Sequence, residues 1–94
     1  MPDEPAEKIE WSEDGGYLST LYGRTYIYVS FFAAEMKLLR RIVRRLLREG
    51  YGVMIPKSVL PDIRPLRVAG FYSTTIWRKG KIVEVWRVDP KQEV

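Results

Sequence analysis

Along residues 17–31 apolar and polar positions alternate with period two, in a run rich in Tyr, Thr, Ile and Val, and this pattern predicts strand. Gly23 interrupts it, which predicts two strands joined by a tight turn or one strand with a bulge. Tyr22, Arg24, Tyr26 and Tyr28 share one face, and Thr25, Ile27, Val29 and Phe31 share the other. The period then changes. From 32 to 49, Met36, Leu39, Ile42, Val43, Leu46 and Leu47 fall within about 140° of a helical wheel, with Leu38 just outside, and Gly50 supplies a stop. A short strand follows at 51–55, then an irregular connection marked by Pro56, Pro61 and Pro65. Residues 70–78 and 81–88 flank Lys79-Gly80 and predict a hairpin in which Trp77 faces Ile82, Thr75 faces Glu84, Ser73 faces Trp86 and Phe71 faces Val88.

Ahead of these elements, Asp14-Gly15-Gly16 marks a turn and residues 9–11 a short strand, while residues 1–8, with two prolines and little that is apolar, predict an acidic flexible tail. The expected fold class is α+β: an antiparallel β-sheet packed against one long basic amphipathic helix, as a single domain over 9–94. The face carrying Ile27, Val29, Ile76 and Val83 is expected to meet that helix.

Composition narrows the chemistry. With no Cys and no His, disulfides, thiolate nucleophiles, Cys-ligated zinc and imidazole bases are excluded. Gly15-Gly16 lacks the Lys-Ser/Thr of a phosphate-binding loop, and Asp62, Glu84 and Asp89 stand as isolated acids with a solubilising role. The expectation is therefore no enzyme, no cofactor and no metal. No apolar run reaches the roughly 20 residues of a membrane span, and the acidic start is unlike a secretory signal, so no membrane association and a cytoplasmic location are expected.

Charge separates along the chain. Residues 1–14 carry six acids and one base, whereas residues 15–94 carry net +9, most of the cations being Arg. A body this positive attracts polyanions, and guanidinium suits phosphate. Lys37, Arg40, Arg41, Arg44, Arg45 and Arg48 line the helix face opposite the apolar stripe with no acid among them. Like charges four residues apart destabilise a helix by a few tenths of a kcal/mol per pair, so an anionic partner explains this face better than solvation alone. Nine Tyr and Trp exceed what one small core requires. If the sheet packs as expected, Tyr22, Tyr26, Tyr28, Trp77 and Trp86 form a base-stacking platform with Arg24, Arg78, Lys79 and Lys81 beside it. A second core or a homodimer seam is the alternative use of the same rings.

The layout of strands, one basic amphipathic helix and a C-terminal aromatic hairpin, without Cys or His, resembles the ThermoDBP-related proteins of thermophilic archaea. That resemblance covers most of the chain and implies binding of single strands in a cleft with a hydrophobic lining and basic flanks, without an OB fold. The founding branch of that family ends in a leucine zipper. No heptads follow the hairpin here, so zipper dimerisation is not implied.

The expected function is binding of single-stranded DNA or RNA with little sequence preference, by backbone neutralisation plus stacking. The alternative is a protein-interaction or assembly subunit docking an acidic partner through the helix and the Trp face. A histidine-free nuclease would require metal-dependent cleavage.

Overall fold

The computed structural model describes residues 6–11, 16–21, 24–29 and 36–90, and the side chains of 24–29 and 36–90. Six strands form one sheet: β1 (Ala6–Trp11), β2 (Gly16–Leu21), β3 (Arg24–Val29), β4 (Gly52–Pro56), β5 (Tyr72–Arg78) and β6 (Lys81–Val88), in the order β1-β2-β3-β4-β6-β5. The run broken at Gly23 is two antiparallel strands, with Leu18 opposite Ile27. Between β3 and β4 lies the helix α1 (Met36–Arg48), and a short 3-10 turn, η1 (Arg64–Leu66), sits in the connection from β4 to β5.

Two expectations on architecture change. The sheet is mixed and not wholly antiparallel, because α1 carries the chain across so that β4 runs parallel to β3, pairing Ile27 with Val53. The described helix has 13 residues, about 20 Å, which does not make it the long helix expected; the predicted start at 32–35 lies outside the described residues. Of the residues expected in the tail, Ala6, Glu7 and Lys8 stand in β1, which pairs antiparallel with β2, and residues 1–5 lie outside the described residues.

Helix termination follows the sequence closely. Gly50 takes φ 94°, Tyr51 N–H bonds Leu46 O at 3.0 Å, and Gly50 N–H bonds Leu47 O at 3.1 Å. This double closure is the Schellman motif, which needs a left-handed residue where Gly50 stands. It returns the chain directly into β4.

The core occupies both faces of the sheet. On the helix side Leu39, Ile42, Val43 and Leu46 pack on Ile27, Val29, Val53, Ile55 and Val88, with Leu60 and Leu66 from the connection. On the far side Tyr26, Tyr28, Met54, Ile76 and Val85 form a second cluster, with Val83 packed against it. The expected grouping of Ile76 and Val83 with Ile27 and Val29 is therefore overturned. The register pairs Val53 with Val88 and Ile55 with Trp86, and side chains alternate across a strand, so Val88 and Trp86 join the helix face while Val83 and Val85 go to the other.

Candidate nucleic-acid interface

The helix that buries Leu39, Ile42, Val43 and Leu46 turns its cations outward. Lys37, Arg40, Arg41, Arg44 and Arg48 line an open groove of about 390 Å³, with no acidic side chain in its lining among the described residues. The six cations differ in what they touch. Arg40 Nε donates to Leu66 O at 2.9 Å and its Nη2 to Pro65 O at 2.9 Å, while Arg44 Nη2 reaches Arg67 O at 3.4 Å. These carbonyls line the end of η1, where Arg67 adopts φ 55° and closes the turn with its N–H on Arg64 O. Two helix arginines thus tie the connection to α1, and a seemingly uniform basic face divides into anchoring and available members. Lys37, Arg41 and Arg48 are exposed and make no hydrogen bond or ion pair among the described residues. Arg45 is exposed but engaged. Its place and that of Arg48 in the last turn also suit the negative end of the helix dipole.

The strand aromatics behave differently from expectation. Tyr26 and Tyr28 are 2% and 4% exposed, so neither ring is open to a base and both drop out of the expected platform. The far face that was to be solvent-exposed is a packed layer, in which Tyr26 lies so close to Gly52 that a Cβ there would sit 2.5 Å from its ring. Arg78 covers the Tyr28 ring, its guanidinium carbon 4.1 Å from the centroid. Trp86 is half-buried on the helix face, its indole N–H donating to Leu60 O at 2.9 Å and Lys57 Nζ lying 4.6 Å above the ring. Trp77 stays exposed beside Ile82, its cross-strand neighbour, on the helix-side face. Lys79, at φ 50°, and Gly80 form the hairpin turn, with Lys81 exposed after it. Tyr22 lies outside the described residues.

Composition left one cluster unrecognised. Asp89, read as a solubilising acid, accepts hydrogen bonds from the hydroxyls of Tyr26 and Tyr72 and sits 3.5 Å from Arg87 Nε and 3.9 Å from Arg24 Nη1. Arg87 in turn donates to the Tyr72 hydroxyl. Burial, and then the bond to the Asp89 carboxylate, push the Tyr26 hydroxyl well above the ordinary tyrosine range. Burial also raises Tyr72, against the opposing pull of the Arg87 hydrogen bond. The signal was parity: Tyr72 and Arg87 share the far face, and Asp89 continues it. Arg24, expected at the nucleic-acid surface, stands at the rim of this cluster, away from the helix face.

The predicted cations therefore fall into two regions, α1 and the β5–β6 turn, with Arg45 outside the groove lining and Arg24 in the far-face cluster. No helix among the described residues is long and apolar enough to cross a membrane. Comparison with protein families, curated proteins and solved structures gives no match.

Proposed function

We propose that this protein binds single-stranded nucleic acid, DNA or RNA, through the groove of α1, chiefly by neutralising backbone phosphates. The observation that carries this reading is the wall of Lys37, Arg40, Arg41, Arg44 and Arg48, which holds no acid among the described residues. From Lys37 to Arg48 the helix advances about 16 Å, enough for several consecutive phosphates. Such contacts carry no sequence information, so preference among sequences is slight. Stacking is a smaller contribution than the sequence implied, and Trp77 is the exposed ring that remains for it among the described candidates.

The test is a fluorescence-anisotropy titration of labelled single-stranded DNA, single-stranded RNA and duplex, with the wild type and with Lys37→Gln/Arg41→Gln/Arg48→Gln. These three positions leave the anchoring pair Arg40 and Arg44 intact. Three single-strand phosphate contacts at about 0.7 each lower the salt slope by about 2, so raising salt from about 50 to 200 mM weakens the wild type about 20-fold more than the variant. An unchanged affinity and slope in the variant overturns the assignment. Exposed Trp77 and Ile82 favour a second reading, docking of a protein partner on the apolar hairpin face, which salt-insensitive protein binding retained by the same variant would support.

A further inference from the structure

β5 is the last strand of the sheet, paired with β6 on one side and with no strand on the other among the described residues. Its backbone polarity is fixed by two observations. The turn Lys79-Gly80 has φ 50° and 75°, a two-residue turn of the primed kind, which makes Arg78–Lys81 the hydrogen-bonded closing pair. Pairs then alternate along the ladder, so Trp77–Ile82, Thr75–Glu84 and Ser73–Trp86 are the non-bonded ones. Independently, the Glu84 carbonyl accepts Lys57 N–H at 3.0 Å on its other side, and it therefore points away from Thr75. The N–H and C=O groups of Ser73, Thr75 and Trp77 consequently face outward.

The side chains on this edge carry none of the usual protection. The stretch Tyr72-Ser73-Thr74-Thr75-Ile76-Trp77 has no charge, no Pro and no Gly and is rich in β-branched and aromatic residues, whereas protected edges place charge or Pro in their middle. Ser73, Thr75 and Trp77 are all exposed. We infer that β5 pairs with β5 of a second copy of this chain, antiparallel about a two-fold axis through Thr75, giving one continuous sheet across two molecules.

The occupant follows from self-complementarity. In this register the three outward residues meet as Thr75 with Thr75, Ser73 with Trp77 and Trp77 with Ser73, and each is a reciprocal pair exchanging both backbone bonds. The large Trp77 falls beside the small Ser73, and Thr against Thr is a favourable cross-strand pair. Arg78 at one end lies opposite Tyr72 of the second copy, so no like charges meet, whereas a parallel arrangement would set Arg78 beside Arg78. The exposed Ile82–Trp77 row then continues into Ser73 and Trp86 of the other molecule. A symmetric dimer of this kind places two α1 grooves on one rigid sheet, and two linked sites hold a long strand more tightly than one.

The experiment is sedimentation velocity without nucleic acid over a hundredfold range of protein concentration, on the wild type, Thr75→Pro and Thr75→Lys. The wild type is expected to approach twice the 11.0 kDa of the chain as concentration rises. Thr75→Pro removes an outward N–H that the β5–β6 ladder does not use and keeps the fold, and Thr75→Lys sets two cations against each other at the axis. Both are expected to sediment as monomers with wild-type circular dichroism, and mixing Thr75→Lys with Thr75→Glu is expected to restore the dimer. Should Thr75→Pro misfold, the Lys and Glu pair decides alone. A wild type that is monomeric throughout, or a dimer that Thr75→Lys leaves intact, overturns the inference.

Discussion

Arg40 and Arg41 are neighbours in sequence, identical in chemistry and different in role, so substituting each with Gln separates anchoring from binding on one helix. Arg40 gives one part-buried hydrogen bond to Leu66 O and one exposed bond to Pro65 O, both at 2.9 Å. A hydrogen bond to a charged group contributes roughly 1.5–3 kcal/mol when shielded from water, and the exposed bond adds little. Removing the cation also relieves the Arg40/Arg44 repulsion, which returns a few tenths of a kcal/mol. The net expectation for Arg40→Gln is a loss of about 1–2 kcal/mol, equivalent to a fall in Tm of roughly 5–15 °C for a chain of this size. Arg41, exposed and without a described partner, gives the opposite sign, a gain of a few tenths of a kcal/mol. In nucleic-acid titrations the order reverses, because Arg41→Gln lowers the salt slope by about 0.7 and Arg40→Gln leaves it nearly unchanged at temperatures where the variant is folded. Urea unfolding followed by far-ultraviolet circular dichroism, paired with anisotropy titrations of the same proteins, reads both. Equal stability of the two variants within about 0.5 kcal/mol would refute the division of the helix face.

Gly52→Ala is expected to destabilise by roughly 1–3 kcal/mol through overpacking, because the new Cβ would stand 2.5 Å from the Tyr26 ring and 2.8 Å from Pro90 Cδ; denaturant midpoints check this, and a neutral outcome would mean the ring moves freely. Stability should also fall on the alkaline side: the Tyr26 hydroxyl titrates higher folded than unfolded, so its contribution is fully present below about pH 10 and is lost as pH rises through the folded value. Tyr26→Phe should flatten that decline in pH-dependent melts, and an identical alkaline slope in the two proteins would contradict the buried assignment. Trp77→Ala should leave the melting temperature nearly unchanged while reducing tryptophan quenching by single strands, and wild-type quenching would exclude stacking on this ring.

Local signals were the legible ones. The β5–β6 register follows from Lys79-Gly80 alone, because a two-residue turn fixes every pair above it, and Ser73–Trp86, Thr75–Glu84 and Trp77–Ile82 all stand as the pattern requires. The apolar stripe of α1 and its stop at Gly50 were equally local. The face of the hairpin that joins the helix depends instead on the β4–β6 register, set between strands far apart in sequence, and a slip of one residue there exchanges Val85 with Val88. Tyr26 and Tyr28 misled for a related reason. Alternating Tyr with Ile reads as one wet and one dry face, yet a tyrosine is a core residue once its hydroxyl has a partner, as Tyr26 has in Asp89. Nothing in the run of arginines distinguishes Arg40 from Arg41, since the difference lies in where η1 passes.

The position of β6 has a consequence for the order in which the molecule can assemble. It is the last of the described strands in sequence yet lies between β4 and β5, and its Val85 and Val88 enter the two opposite cores. As the chain is synthesised, the β3–α1–β4 unit therefore emerges with the β6 side of β4 open and without the Val85 and Val88 side chains that complete the two clusters. Completion of the sheet is an insertion step, with a hairpin formed quickly at its local turn sliding β6 against β4. Until then the sides of β4 and β5 that β6 will occupy are both open edges, the kind of backbone surface that invites pairing with another chain.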